Sequence, residues 1–202
     1  IPTYQVSIVW RLYAPRAILG LVVGAGLALV GVVMQAMVQN PLADPYILGV
    51  SASSGLGVAI FVMGGSALGI NLNSAAFQTF GIAGAAMAGA ILLLLLILAL
   101  SERLKDNLSL LIFGVMISSI ASALINLLQY ASSESALKMY VVWTLGSFSG
   151  LKSGQLLILA LLSVAGIALS VYNIKDLNAI MLGEQYANAA GINTKRIKVR
   201  II

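Results

Sequence analysis

Apolar residues run along this chain in blocks, and a helix needs about 20 of them to cross the hydrocarbon core of a bilayer. Five blocks qualify: Ala17–Val38, Tyr46–Met63, Gln78–Leu100, Leu108–Tyr130 and Ser153–Tyr172. The second is short and rich in glycine and serine. Polar connections separate them at Gln39–Pro45, Gly64–Phe77, Ser101–Asn107 and Ala131–Lys152, and a longer polar tail, Asn173–Ile202, follows the last. The pattern predicts an all-α fold: a polytopic transmembrane helical bundle with five spans over residues 1–202, ending in a loop at 173–202.

Charge supports this reading. Only 8% of the residues are charged, against about 25% in a soluble domain. The 202 residues include no cysteine and no histidine. That removes disulfides, thiolate metal sites and the commonest general base. The chain is therefore expected to be no enzyme, to bind no metal and to need no cofactor. The net charge of +5 reads as basic loops that orient the protein in the lipid bilayer, with no nucleic acid implied. The chain starts at Ile1 without a basic segment or a long apolar core, and it is expected to be an internal piece of a longer protein.

Five spans alternate sides, so one choice places every loop. With the tail cytoplasmic, the inner side carries Arg103, Lys105, Lys175, Lys195, Arg196, Lys198 and Arg200. The outer side carries Arg11, Arg16, Lys138 and Lys152. Basic loops resist translocation, and seven against four favours a cytoplasmic tail. Arg11 and Arg16 then need a reason of their own.

Small residues recur at helical spacing, Gly20, Gly24 and Ala28 in the first span and Gly81, Ala85 and Gly89 in the third. Such faces let membrane helices approach closely, and they imply helix packing only. The fourth span differs. Ser119, Ser122, Asn126, Gln129 and Ser133 follow steps of three and four, which aligns hydroxyls and amides in one seam. An unpaired amide in hydrocarbon costs about 4–8 kcal/mol against an alkane reference, so the seam must meet other helices or water. It is either polar glue between helices or one wall of a pathway for a polar solute. No charged side chain lies mid-span, which weakens an ion-driven mechanism. No G-x-x-x-x-G-K-[ST] sequence is present, so any ATP hydrolysis falls to another chain or domain.

One connection is unusual. "NPLADP" (Asn40–Pro45) places two prolines, an asparagine and an aspartate between two spans. The prolines remove backbone donors and push Asn40 and Asp44 out of helical geometry, so the first span must end near Asn40. The freed backbone groups require an interface or burial in protein. Later, Leu177–Ala190 reads as a helix with Asp176 near its start, Gly191 as its C′ residue and Asn193 as cap of a second short helix.

These stretches resemble the FecCD-type permeases, membrane subunits of ABC importers for iron–siderophore complexes, haem and vitamin B12. "APRAILGLVVGAGLALVGVVMQAMVQNPLADPYILGVSASSG" matches a span with its following NPLA-[DE]-P and LG-x-S-x-G turn. "VVWTLGSFSG" (Val141–Gly150) resembles the W-x-x-G-S segment. "LNAIMLGEQYANAAGINTKRIKVR" (Leu177–Arg200) resembles the cytoplasmic loop carrying LGE-x-x-A-x-x-x-G. Family members have ten spans, so the chain is similar to spans two to six plus the coupling loop.

The resemblance implies a permease subunit of an ATP-driven importer in the bacterial inner membrane, with residues 173–202 cytoplasmic. It would work as a homodimer with a second copy, two ATP-binding subunits and an extracytoplasmic substrate-binding protein. Asn40 and Leu42, with Asn107 and Leu108 of the next inner loop, would form a cytoplasmic gate. Leu182, Gly183, Glu184, Ala187 and Gly191 would dock to the ATPase, and Arg11 and Arg16 to the binding protein. Ser119, Ser122, Asn126 and Gln129 would line the pathway. Two alternatives stay open: a secondary transporter with broken helices, and a membrane assembly subunit that transports nothing.

Overall fold

The computed structural model describes residues 9–41, 43–68, 80–101, 107–147, 153–189 and 191. Every regular element among them is helical. After a π-helical turn at Val9–Tyr13 come α1 (Ala14–Val38), a 3-10 turn at Pro45–Leu48, and α2 (Val50–Ala67), which contains a π-helical stretch at Ile60–Gly64. Then follow α3 (Ile82–Ser101), α4 (Asn107–Ala131), α5 (Glu134–Thr144), α6 (Ser153–Tyr172), α7 (Ile174–Met181) and α8 (Glu184–Ala189). Four of these, α1 to α4, are long and apolar enough to cross a membrane. The bent pair Leu157–Tyr172 and Ile174–Met181, angled by 57°, makes up to five if it counts as one span. The chain is an all-α polytopic membrane protein.

It divides into two compact units, Ile1–Ala43 with Ser147–Ile201, and Asp44–Gly146. In the second unit α2 is the hub. Of its span 39% is buried, against 17% for α3 and 11% for α4. Its glycines and serines, which make it the least span-like block in sequence, are the reason. Gly57 of α2 lies against the Ala85 carbonyl of α3, and Gly89 of α3 lies against the Ser53 carbonyl of α2. A side chain at either position would hold the two backbones apart. The Ser54 hydroxyl then donates across the contact to the Ala86 carbonyl at 3.0 Å. Close approach of this kind gains dispersion contact where the hydrophobic effect offers nothing. The expected small-residue face of α3, Gly81, Ala85 and Gly89, is thus used, with Gly81 under the Phe61 ring.

The stretch Ala131–Lys152, expected as a connecting loop, instead contains α5. Ser133 stands at its N-cap with extended backbone. Ala136 and Tyr140, one turn apart, are buried with Val58, Ala59, Val62, Met63 and Ile82, and Trp143 packs beside them. At 11 residues, with Glu134 and Lys138 on its outer side, α5 is too short and too charged to register as a span.

In the first unit α1 packs against α6 and α7. Its buried residues, Leu19, Met34, Ala36 and Met37, concentrate near its C-terminal end. The expected small-residue face of α1 is not used inside this unit: a methyl at Gly20 or Gly24 would meet nothing within 4 Å, and Ala28 is exposed. The bend between α6 and α7 sits at Asn173, which is 2% exposed. Its side-chain amide donates to the Leu169 carbonyl at 2.7 Å while its own carbonyl accepts Leu177 N–H at 2.9 Å, so the backbone polar groups at the bend are held within the protein.

Candidate gate and coupling elbow

α1 ends at Val38 because Gln39 turns left-handed, with φ 55° and ψ 35°. It is the sole non-glycine residue with positive φ among the described residues. Gln39 N–H bonds the Gln35 carbonyl, and Asn40 N–H reaches the same oxygen at 3.2 Å, in the manner of a Schellman cap. Glycine is the usual residue in that position, and a side chain there costs about 1–2 kcal/mol. The glutamine has a compensating contact: its Nε2 donates to the Ile180 carbonyl oxygen in α7 at 2.6 Å, a bond between residues 141 apart in sequence. Ala43 N–H then bonds the Asn40 carbonyl at 3.0 Å and closes the turn.

The division between the two units falls between Ala43 and Asp44. On the far side Asp44 is extended, φ −123° and ψ 138°, and its carboxylate accepts Tyr46 N–H at 2.7 Å, with Pro45 as the first residue of the 3-10 turn. Gly49 follows at φ 82° and opens α2. A methyl on Gly49 would lie 2.7 Å from the Ser118 hydroxyl, and one on Gly114 of α4 would lie 2.7 Å from the Ile47 carbonyl. Both glycines let this turn seat directly on the α4 backbone. Each half of "NPLADP" is thus fixed to a helix of its own unit.

Of the expected gate residues, Asn40 is exposed in this turn. Leu42 and the side chains of Asn107 and Leu108 lie outside the described residues; Asn107 opens α4.

The tail departs from the single helix expected over Leu177–Ala190. α7 starts earlier, at Ile174, and stops at Met181; α8 runs Glu184–Ala189. Gly183, at φ 118°, breaks the two apart in a conformation that L side chains rarely adopt. Its N–H bonds the Ile180 carbonyl at 3.0 Å, and its own carbonyl accepts Ala187 N–H at 3.0 Å. Ile180 is fully buried and Leu177 nearly so. Leu182 is exposed at the corner, whereas Ala187 is fully buried and seats α8, so it faces inward. The side chain of Glu184 and the expected cap Asn193 lie outside the described residues. Gly191 adopts φ 80°, a left-handed residue that lets the chain turn after α8.

The α4 seam is open. Ser119, Ser122 and Asn126 are exposed and Gln129 is half-buried, one position round the helix from the packed face at Ser118, Ala121 and Ile125. The Ser119 hydroxyl donates to the Val115 carbonyl within α4 at 3.0 Å. Ser133, beyond the end of α4, lies 3.1 Å from the Ser66 hydroxyl. Arg16 is exposed in the first turn of α1, with Trp10 and Tyr13 exposed just before it. Aromatics of this kind suit the headgroup level of a bilayer. The side chain of Arg11 lies outside the described residues. Sequence reasoning did not find Gln39, whose partner comes from the fold, or Asn173, whose amide bonds back one turn to Leu169; neither lies in a charged or periodic pattern.

These features define a membrane protein with a proline-broken turn between two spans and a glycine elbow after a bent helix. The FecCD transport family model matches residues 2–202, and the chain belongs to that family. It is 36% identical over 187 residues to the vitamin B12 import system permease protein BtuC of Yersinia enterocolitica, covering 92% of this chain and 53% of that one. It is 30% identical over 189 residues to the hemin transport system permease protein HmuU of Yersinia pestis, covering 93% and 55%. A solved chain described as a metal-chelate type ABC transporter, in an inward-facing conformation, matches with a TM-score of 0.80 and 30% identity, covering 98% of this chain and 61% of that one. The chain spans about half the length of the curated relatives it matches.

Proposed function

We propose that this chain is part of the membrane-spanning permease of an ATP-driven importer for iron–siderophore, haem or corrinoid complexes, in the bacterial inner membrane. The observation that carries the reading is the Gly183 break. It folds Ile174–Ala189 into a helix–glycine–helix elbow instead of a continuous helix. A separate ATPase subunit can grip an elbow, and rigid helices carry its movement into the membrane. In this reading Leu182, Gly183, Glu184 and Gly191 face the ATPase and Ala187 holds α8 in place. The turn carrying Asn40 and Leu42 and the loop carrying Asn107 and Leu108 form the inner gate. Ser119, Ser122, Asn126 and Gln129 line the passage and offer uncharged donors and acceptors to a large polar cargo. Arg11 and Arg16 dock an extracytoplasmic binding protein. Two copies surround one passage, two ATPase subunits drive it, and residues 173–202 are cytoplasmic.

The test is co-purification of the whole permease with its ATPase subunit. Replacing Gly183 with valine strains the elbow and should release the ATPase while the permease stays folded. Retention of the ATPase at undiminished stoichiometry would count against the elbow as the docking element.

A further inference from the structure

The elbow and the gate turn are not adjacent in sequence, yet within the first unit a side-chain hydrogen bond joins them. Gln39 occupies a left-handed cap where a glycine would fit with less strain. What glutamine adds is an amide long enough to reach the Ile180 carbonyl at 2.6 Å. That carbonyl also accepts Gly183 N–H at 3.0 Å, so the same oxygen anchors the elbow corner and the end of α1. The Ile180 side chain is fully buried, which fixes the carbonyl to the unit's core. Asn40, next to Gln39, begins the gate turn, and Ala43 at the turn's end is buried.

We infer that Gln39 is a positioning residue for gating: its Nε2–H···O bond to Ile180 makes the gate turn and the elbow corner move as one piece. The inference rests on the importer reading above. With the bond present, displacement of α7 and α8 is passed to the end of α1 and to Asn40 through this side chain. Without it, the elbow shifts and the turn lags. A purely structural cap behaves in the opposite way, since Gln39→Gly relieves the left-handed strain and leaves the cap's backbone bonds in place.

The experiment uses the whole permease assembled with its ATPase subunits in lipid nanodiscs. The 202 residues contain no cysteine; with any cysteine elsewhere in the permease replaced, spin labels are placed on Pro41→Cys and Tyr186→Cys, both at exposed positions. Distances are measured without nucleotide and after trapping with ATP and vanadate. In the unmodified background the Pro41–Tyr186 distance should stay the same in the two states. In Gln39→Gly and Gln39→Asn, whose side chains cannot reach Ile180, it should change by about 1–2 Å or broaden, the scale of helix shifts in switching proteins. Gln39→Gly should also hydrolyse ATP at the unmodified rate. Unchanged distances in both variants would overturn the inference and leave the importer reading standing. If labels at Tyr186 in the two copies show no nucleotide-dependent separation even with Gln39 intact, the elbow does not respond to ATP. That result overturns the importer reading and the inference with it.

Discussion

Replacing Gly89 with alanine should destabilise the membrane domain, although alanine is the better helix former. The substitution adds one methyl to α3 where Gly89 meets the Ser53 carbonyl, with the Ser54 Cα 3.3 Å from the same point. The obstacle is backbone, so no rotamer change can relieve it. The helices must separate, and carbon atoms prefer contacts near about 3.5–4.0 Å. Overpacking of this kind costs about 1–3 kcal/mol. Separation also stretches the Ser54-to-Ala86 hydrogen bond of 3.0 Å, and interhelical bonds in membranes are worth about 0.6 kcal/mol. Against this stands a propensity gain of about 0.8–1.0 kcal/mol. The net expectation is a loss of about 1–2 kcal/mol on these figures. Gly84 supplies the control on the same helix: it is exposed, and a methyl there would meet nothing within 4 Å. Gly84→Ala should therefore leave stability unchanged or raise it. Thermal unfolding of the whole permease in detergent, followed by fluorescence-detected size exclusion, gives both midpoints. Equal midpoints for the two variants would refute the backbone-contact argument.

Three further outcomes are expected. Gly191→Val places a β-branched residue at φ 80°, where such side chains are strained by about 1–3 kcal/mol; cargo uptake per ATP hydrolysed should fall while basal hydrolysis persists. Arg16→Glu should weaken association of the binding protein and reduce its sensitivity to salt, read by titration at two ionic strengths; an unchanged salt slope would assign Arg16 to lipid headgroups. Asn126→Leu removes an exposed amide from the α4 seam; uptake should drop several-fold with the unfolding midpoint unmoved, whereas a lowered midpoint would mark the seam as helix glue.

What could be read from the sequence was what depends on local pattern. Blocks of apolar residues announced α1, α3 and α4, and "NPLADP" announced the end of α1, because proline acts on its own neighbours. The Gly/Ser-rich block looked weakest and is the hub, since its merit lies in what its lack of side chains lets α3 and α4 approach. α5 went unseen because its burial is supplied by α2, through Val58, Ala59 and Val62, and its own sequence carries Glu134 and Lys138. The helix expected over Leu177–Ala190 is broken at Gly183, which the pattern did not announce, while the helix expected after Gly191 lies outside the described residues. Either glycine could have taken the left-handed turn, and both do. The bond from Gln39 to Ile180 spans 141 positions, beyond the reach of any periodicity.

The most direct measurement is uptake into vesicles that carry the whole permease, its binding protein and either an active or a hydrolysis-dead ATPase, with radiolabelled vitamin B12, haem and ferric siderophores each offered as cargo. The expected result is accumulation of one of them with the active ATPase alone. Equal accumulation with the dead ATPase would contradict an ATP-driven permease.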